Sequence, residues 1–265
     1  MKGIIYRELI LMKKALILTA VVYVLSMIFA AVVLLAFDYG NLDRSDTEAF
    51  EMIRMYSTLI LVTVGVCGPS MGQLKSIIDD YNTRWMGFQY TLPLPAETLA
   101  KGKYLIRGTV FAVGLMLGIL GELYIGIISG TGFRPNMLVF VLAMGIFSGL
   151  SALEVPLAMR LRNEGKIAAA GMAIGMPLLI PFFIVVMKIT KEVEQRTAAL
   201  VEAARAAGEE GPVDIGDPMK LMLEVAQPYI DTFRTVLMIV GVPFIVLMFF
   251  VGYKLTVKEL KRRSL

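Results

Sequence analysis

The sequence predicts an all-α membrane protein of about six transmembrane helices, and three observations carry that prediction. Composition is the first. Of the 265 residues 57% are hydrophobic and only 18% charged, with a mean hydropathy of +0.72, whereas a soluble domain carries roughly 25% charged residues. Segmentation is the second: the apolar residues gather in runs long enough to cross ~30 Å of hydrocarbon at ~1.5 Å per residue. The third is that basic residues cluster beside these runs. The net charge of +4 therefore reads as membrane topology and not as a nucleic-acid surface. In lipid each span must satisfy its own backbone polar groups, so the spans are helices.

Residues 1–14, MKGIIYRELILMKK, place Ile4, Ile5, Leu9 and Met12 on roughly one helical face, with Lys2, Arg7, Glu8 and Lys13 largely elsewhere. That pattern predicts an interfacial helix ahead of the first span, the alternative being that it simply extends that span. The apolar run after Lys13 and Lys14 is longer than a signal-peptide core, so it is expected to be retained. The spans are expected at 15–37, 57–74, 104–128, 137–159, 167–187 and 232–253. The second is the shortest, and an earlier start near Ile53 is open. Between the last two, residues 188–231 predict a two-helix outer segment. Its first helix is Ala/Glu/Arg-rich, and its second has Asp217 as N-cap and Pro218 in the first helical position. All of this is expected to form one transmembrane domain, 1–265.

Lys and Arg fix the sidedness. The N-terminal segment, the loops 75–103 and 160–166 and the tail 254–265 together hold about twice as many as the alternate loops. Both termini are therefore expected in the cytoplasm of a multi-pass plasma-membrane protein. Histidine is absent, which excludes HExxH zinc proteases, Ser-His dyads and histidine proton relays. A single cysteine, Cys67, leaves no internal disulfide. The chain has no phosphate-binding loop and no recognisable cofactor or metal motif, so energy for uphill movement must come from a partner.

Inside the spans, the pairs Gly114/Gly118, Gly145/Gly149 and Gly171/Gly175 have the spacing at which helix backbones approach closely. Pro69, Pro156, Pro177, Pro181 and Pro243 are expected to bend or interrupt their helices. Charges in the oil are few: Glu122, Glu154, Arg107 and Arg234. An unpaired charge at mid-bilayer costs about 2.5–3.5 kcal/mol on insertion scales, so Glu122 needs a partner, a wet cavity or a proton. Glu122 and Glu154 are candidate pathway-lining or structural charges.

The loop DDYNTRWMGFQYTLPLPAETLAKGKYL, residues 79–105, holds the only tryptophan. Asp79 or Asp80 suits a helix N-cap, after which Tyr81, Trp85, Phe88 and Leu92 fall on one helical stripe. Pro93 stops that helix, and Pro95 starts another leading into the third span. Three aromatics present about 450 Å² or more, near the upper end of what a surface exposes without purpose. The stripe suits either an aromatic belt at the headgroups or a groove on a cytosolic partner.

This loop, the basic N-terminal stretch YRELILMKK and the spacing of about six spans resemble the membrane subunit of ABC exporters of the second type, especially small bacterial permeases that export peptides and antibiotics. The resemblance runs over the full chain, and TLPLP…KGKYL is its most specific part. It implies that the loop is a coupling helix inserting into a separate ATPase subunit, with Asp79, Asp80, Tyr81, Arg84, Trp85 and Phe88 as contacts. It further implies two ATPases carrying ATP and Mg, a second permease copy (the same chain or a different one), and export of a peptide or a hydrophobic, antimicrobial compound. The chain itself would hold no cofactor and catalyse nothing. A gradient-driven secondary transporter or channel is the alternative. It predicts internal repeats, and spans one to three show no convincing similarity to spans four to six.

Overall fold

The computed structural model describes residues 2–39, 47–82, 94–133, 138–161, 163–206 and 218–263, and no strand occurs among them. Among the described residues seven α-helices follow in order: α1 Lys2–Tyr39, α2 Thr47–Asn82, α3 Ala96–Ile128, α4 Leu138–Gly149, α5 Glu154–Leu161, α6 Glu164–Ala206 and α7 Pro218–Arg263. A 3-10 turn, Leu150–Leu153, joins α4 to α5. Five stretches are long and apolar enough to cross a membrane: Ile5–Ala36, Phe50–Ser70, Ala96–Ile128, Leu138–Leu161 and Glu224–Arg262. The expected fifth span, 167–187, falls in α6, where Gly165–Pro177 and Leu179–Glu202 meet at a 41° bend. Taken as one span, that pair is the sixth. Pro177 and Pro181 lie inside α6, and each removes a backbone donor and crowds the preceding turn.

Several sequence expectations are corrected. The N-terminal segment is continuous with the first span, α1 running unbroken from Lys2 to Tyr39. Of the expected apolar face, Met12 is buried with Ile5 packed beside it and Leu9 is 44% exposed, while the polar Glu8 is buried too. Asp79 and Asp80 do not cap the start of a helix; they lie in the last turn of α2, which continues to Asn82. Residues 75–82 contain neither Gly nor Pro, so nothing local stops the helix when the apolar run ends. The two outer helices expected in 188–231 are present as extensions of α6 and α7 instead of a separate pair. Pro218 opens α7 as expected. So does the helix after Pro95, which occupies the N-cap position of α3.

The chain divides into two compact units: Met1–Gly171 with Met238–Leu265, and Met172–Leu237. In the first unit α2 packs chiefly against α3 and α1. Tyr23, Ala30, Leu34, Leu61 and Ile125 form one buried cluster there, and Val62, Val66 and Val141 another. A third joins Leu99, Ala100, Tyr104, Ala152, Val155 and Leu260.

Glycine decides how closely these helices approach. A methyl group at Gly114 would stand 2.9 Å from the Val66 carbonyl oxygen, and one at Gly118 2.7 Å from a Val66 methyl. Gly145 faces Leu115, and Gly149 faces Ile245. The third pair, Gly171 and Gly175, lies in α6. A Cβ at Gly171 would meet nothing within 4 Å, and Gly175 is only half-buried, whereas the other four glycines are buried. Small residues permit a close crossing but do not create one, and Gly171/Gly175 is not packed as the first two pairs are. After α3 the chain turns through Gly130 and Gly132 at φ 67° and 72°, a region that disfavours any residue with a Cβ.

Candidate functional site

At one end of the first unit, α1, α2 and α3 converge on a buried ionic cluster. Lys103 Nζ donates 2.7 Å hydrogen bonds to both Glu8 Oε1 and Asp80 Oδ2. Ser76 Oγ donates to Glu8 Oε2 at 2.6 Å, and Arg7 forms an ion pair with Asp80 Oδ1. Every carboxylate oxygen of the two acids is thus engaged, and two cations balance two anions. That balance is required, because an uncompensated buried charge costs several kcal/mol. Asp80 in particular stands at the C-terminal end of α2, where the helix dipole disfavours an anion; Arg7 and Lys103 reverse that disadvantage.

The spacing explains how three distant segments meet. Ser76 and Asp80 are one turn apart on α2, and Lys103 and Arg107 are one turn apart on α3, so each pair shares a helix face. Asp80 lies in the last turn of α2 and Lys103 in the second turn of α3. The two helices that carry the 83–95 connection are therefore joined directly to each other and to α1.

Next to this cluster, a second polar layer surrounds the 3-10 turn. Arg107 Nη1 donates to the Ser151 carbonyl at 3.1 Å. Tyr104 donates its hydroxyl hydrogen to the Ala152 carbonyl at 2.6 Å, with Thr256 Oγ1 3.1 Å away. The Ser151 carbonyl also accepts the Glu154 backbone N–H, so Arg107 adds a second bond to it, and Tyr104 ties the next carbonyl of the same turn to α3. Glu154 follows directly, in the first turn of α5, where the positive dipole end favours a carboxylate.

At the opposite end of α3, Glu122 is fully buried and has the partner its position demands. Arg54 Nη2 lies 3.6 Å from Glu122 Oε1, and Arg54 Nη1 3.5 Å from Glu51 Oε2. Arg54 itself is 1% exposed. From Lys103 to Glu122 along α3 is about 28 Å, and from Arg54 to Ser76 along α2 about 33 Å, at ~1.5 Å per residue. The two charged layers so bracket a stretch of helix as long as a bilayer core is thick.

Of the six residues expected to meet a partner, Asp80 is turned inward, fully buried in the cluster. Asp79 and Tyr81 lie in the same last turn of α2, and Arg84, Trp85 and Phe88 lie outside the described residues. Sequence reading missed Arg7, Glu8, Ser76 and Lys103 as a group, and Arg54 as the partner of Glu122. The available signal was the pairing of polar residues four apart at helix ends. Among the described residues no cluster of His, Cys, Asp and Glu is fit to hold a metal ion. The fold defines a helical membrane protein. Comparison of the chain with protein-family models, with curated proteins and with solved structures finds no match.

Proposed function

We propose that the chain is the transmembrane subunit of an ATP-driven exporter of the ABC type, which couples through the 83–95 connection to a separate ATPase and exports a peptide or a hydrophobic, antimicrobial compound. One observation carries this reading: the helices on both sides of the connection, α2 and α3, are locked to each other and to α1 by Lys103, Asp80, Glu8 and Arg7. A push on the connection would move all three helices together, which is what a coupling element needs. In this reading Trp85 and Phe88 are the aromatic anchors for the ATPase, with Tyr81 and Arg84 beside them. Asp80 is a positioning residue beneath the contact. Two such subunits with two ATPases would enclose the path, and both termini would face the cytoplasm with the ATPases.

Replacing Trp85 and Phe88 together with alanine tests it. Buried aromatic anchors typically contribute about 2 kcal/mol or more each. The double variant is therefore expected to bind its ATPase roughly 1,000-fold more weakly and to lose substrate-stimulated hydrolysis, while its helix content is unchanged. Stimulation at the wild-type level in the double variant would overturn the assignment.

A further inference from the structure

The second unit, Met172–Leu237, carries a feature that the exporter reading does not use. Along α6, Ile180, Ile184, Lys188, Lys191 and Gln195 succeed one another at intervals of three or four, so they lie on one helix face. The face changes character along its length. Ile180 and Ile184 are 55% and 50% exposed, while Lys188 is the first charge after the apolar run. Above that boundary Lys188, Lys191, Gln195 and Arg196 line an open cleft whose other wall includes Tyr229 of α7.

Among the described residues that line it, the cleft holds three cations to one carboxylate. Glu192 is the cleft's acid, and both its oxygens are occupied: Oε1 by Arg196 at 3.1 Å and Oε2 by the Tyr229 hydroxyl at 3.0 Å. On α7, Asp231 is paired with Arg234 at 3.1 Å. Among the described residues neither Lys188 nor Lys191 is in an ion pair. A cleft with two spare cations, continued by exposed isoleucines on the same face, complements a molecule with an anionic head and an apolar tail.

We infer that this face binds an anionic amphiphile, its phosphate or carboxylate between Lys188, Lys191 and Gln195 and its tail along Ile184 and Ile180. Cations just outside an apolar span attract anionic headgroups, and here they are paired with a tail-binding strip. A membrane phospholipid and a transported amphiphile share this chemistry. The inference is independent of any ATPase, so its failure would leave the proposed function standing.

The test uses the purified full chain in neutral detergent, titrated separately with phosphatidylglycerol and with oleate, with zwitterionic phosphatidylcholine as control. At least one anion is expected to bind and raise the unfolding midpoint where phosphatidylcholine does not. The K188Q/K191Q variant should bind it roughly 30-fold more weakly, the loss of two cations at a membrane surface, with helix content unchanged. A K101Q/K258Q variant, which removes two exposed lysines outside the second unit, should bind like the wild type. Phospholipid that stays bound through purification identifies a resident lipid; binding only on addition identifies a transient ligand, and either supports the inference. It is overturned if no anion outperforms phosphatidylcholine, if K188Q/K191Q binds normally, or if K101Q/K258Q weakens binding equally.

Discussion

Lys103 ties together two buried carboxylates of the first unit. Its ammonium group is shared between Glu8 and Asp80, and without it two buried carboxylates would face only Arg7 and Ser76. Breaking a buried ion pair from one side costs about 3–5 kcal/mol, so Lys103→Met is expected to lower unfolding stability in detergent by that amount. Adding Glu8→Gln removes one of the stranded charges and should recover part of the loss. A double-mutant cycle measures the coupling directly; additive effects would mean that Lys103 and Glu8 do not act together. The burial of Glu122 and its need for a partner were legible in the sequence, because a carboxylate inside an apolar run has few options. That the partner is Arg54 was not. Position 54 reads as the edge of a loop until α2 is seen to begin at Thr47 and bring the guanidinium to α3.

At the scale of elements, Gly114 and Gly118 sit where two helices cross, while Gly171 meets no neighbour within this chain. Gly114 and Gly171 have the same sequence signature but different surroundings, a backbone carbonyl at 2.9 Å and open space. Alanine at Gly114 is expected to destabilise by about 1–3 kcal/mol through overpacking. At Gly171 it should be neutral, or stabilising by up to ~1 kcal/mol through helix propensity alone. Thermal unfolding of the two variants side by side checks the pair, and equal effects would contradict the α2–α3 crossing. Helix existence was legible everywhere, since long apolar runs have no other solution in lipid. Helix ends were not. Within the expected loop 75–103, α2 runs on to Asn82 and α3 begins at Ala96, because no Gly or Pro stops α2 where its apolar run ends and tertiary ion pairs neutralise Asp80 and Lys103 there.

For the whole molecule, the distribution of Lys and Arg predicts sidedness, and the prediction is directly measurable. In a chain with Cys67 replaced by serine, single cysteines at Ser45 and Gly211 should react with an impermeant reagent only from outside intact cells, and one at Ser264 only from inside. A reversed pattern at any of the three would overturn the topology and, with it, the placement of the 83–95 connection on the ATPase side.

Sequence by itself determined that this is a helical membrane protein, roughly where its spans lie, and which charges stand awkwardly in oil. These follow from hydrocarbon thickness and from the cost of unsatisfied backbone and unpaired charge, both local properties of the chain. Only the tertiary structure decided which charges answer one another: Arg7 and Lys103 for Asp80, Ser76 and Lys103 for Glu8, and Arg54 for Glu122. Pairing between segments dozens of residues apart depends on the rotation of each helix about its axis. That rotation is set by packing at Gly114, Gly118 and Val66 rather than by any run of residues.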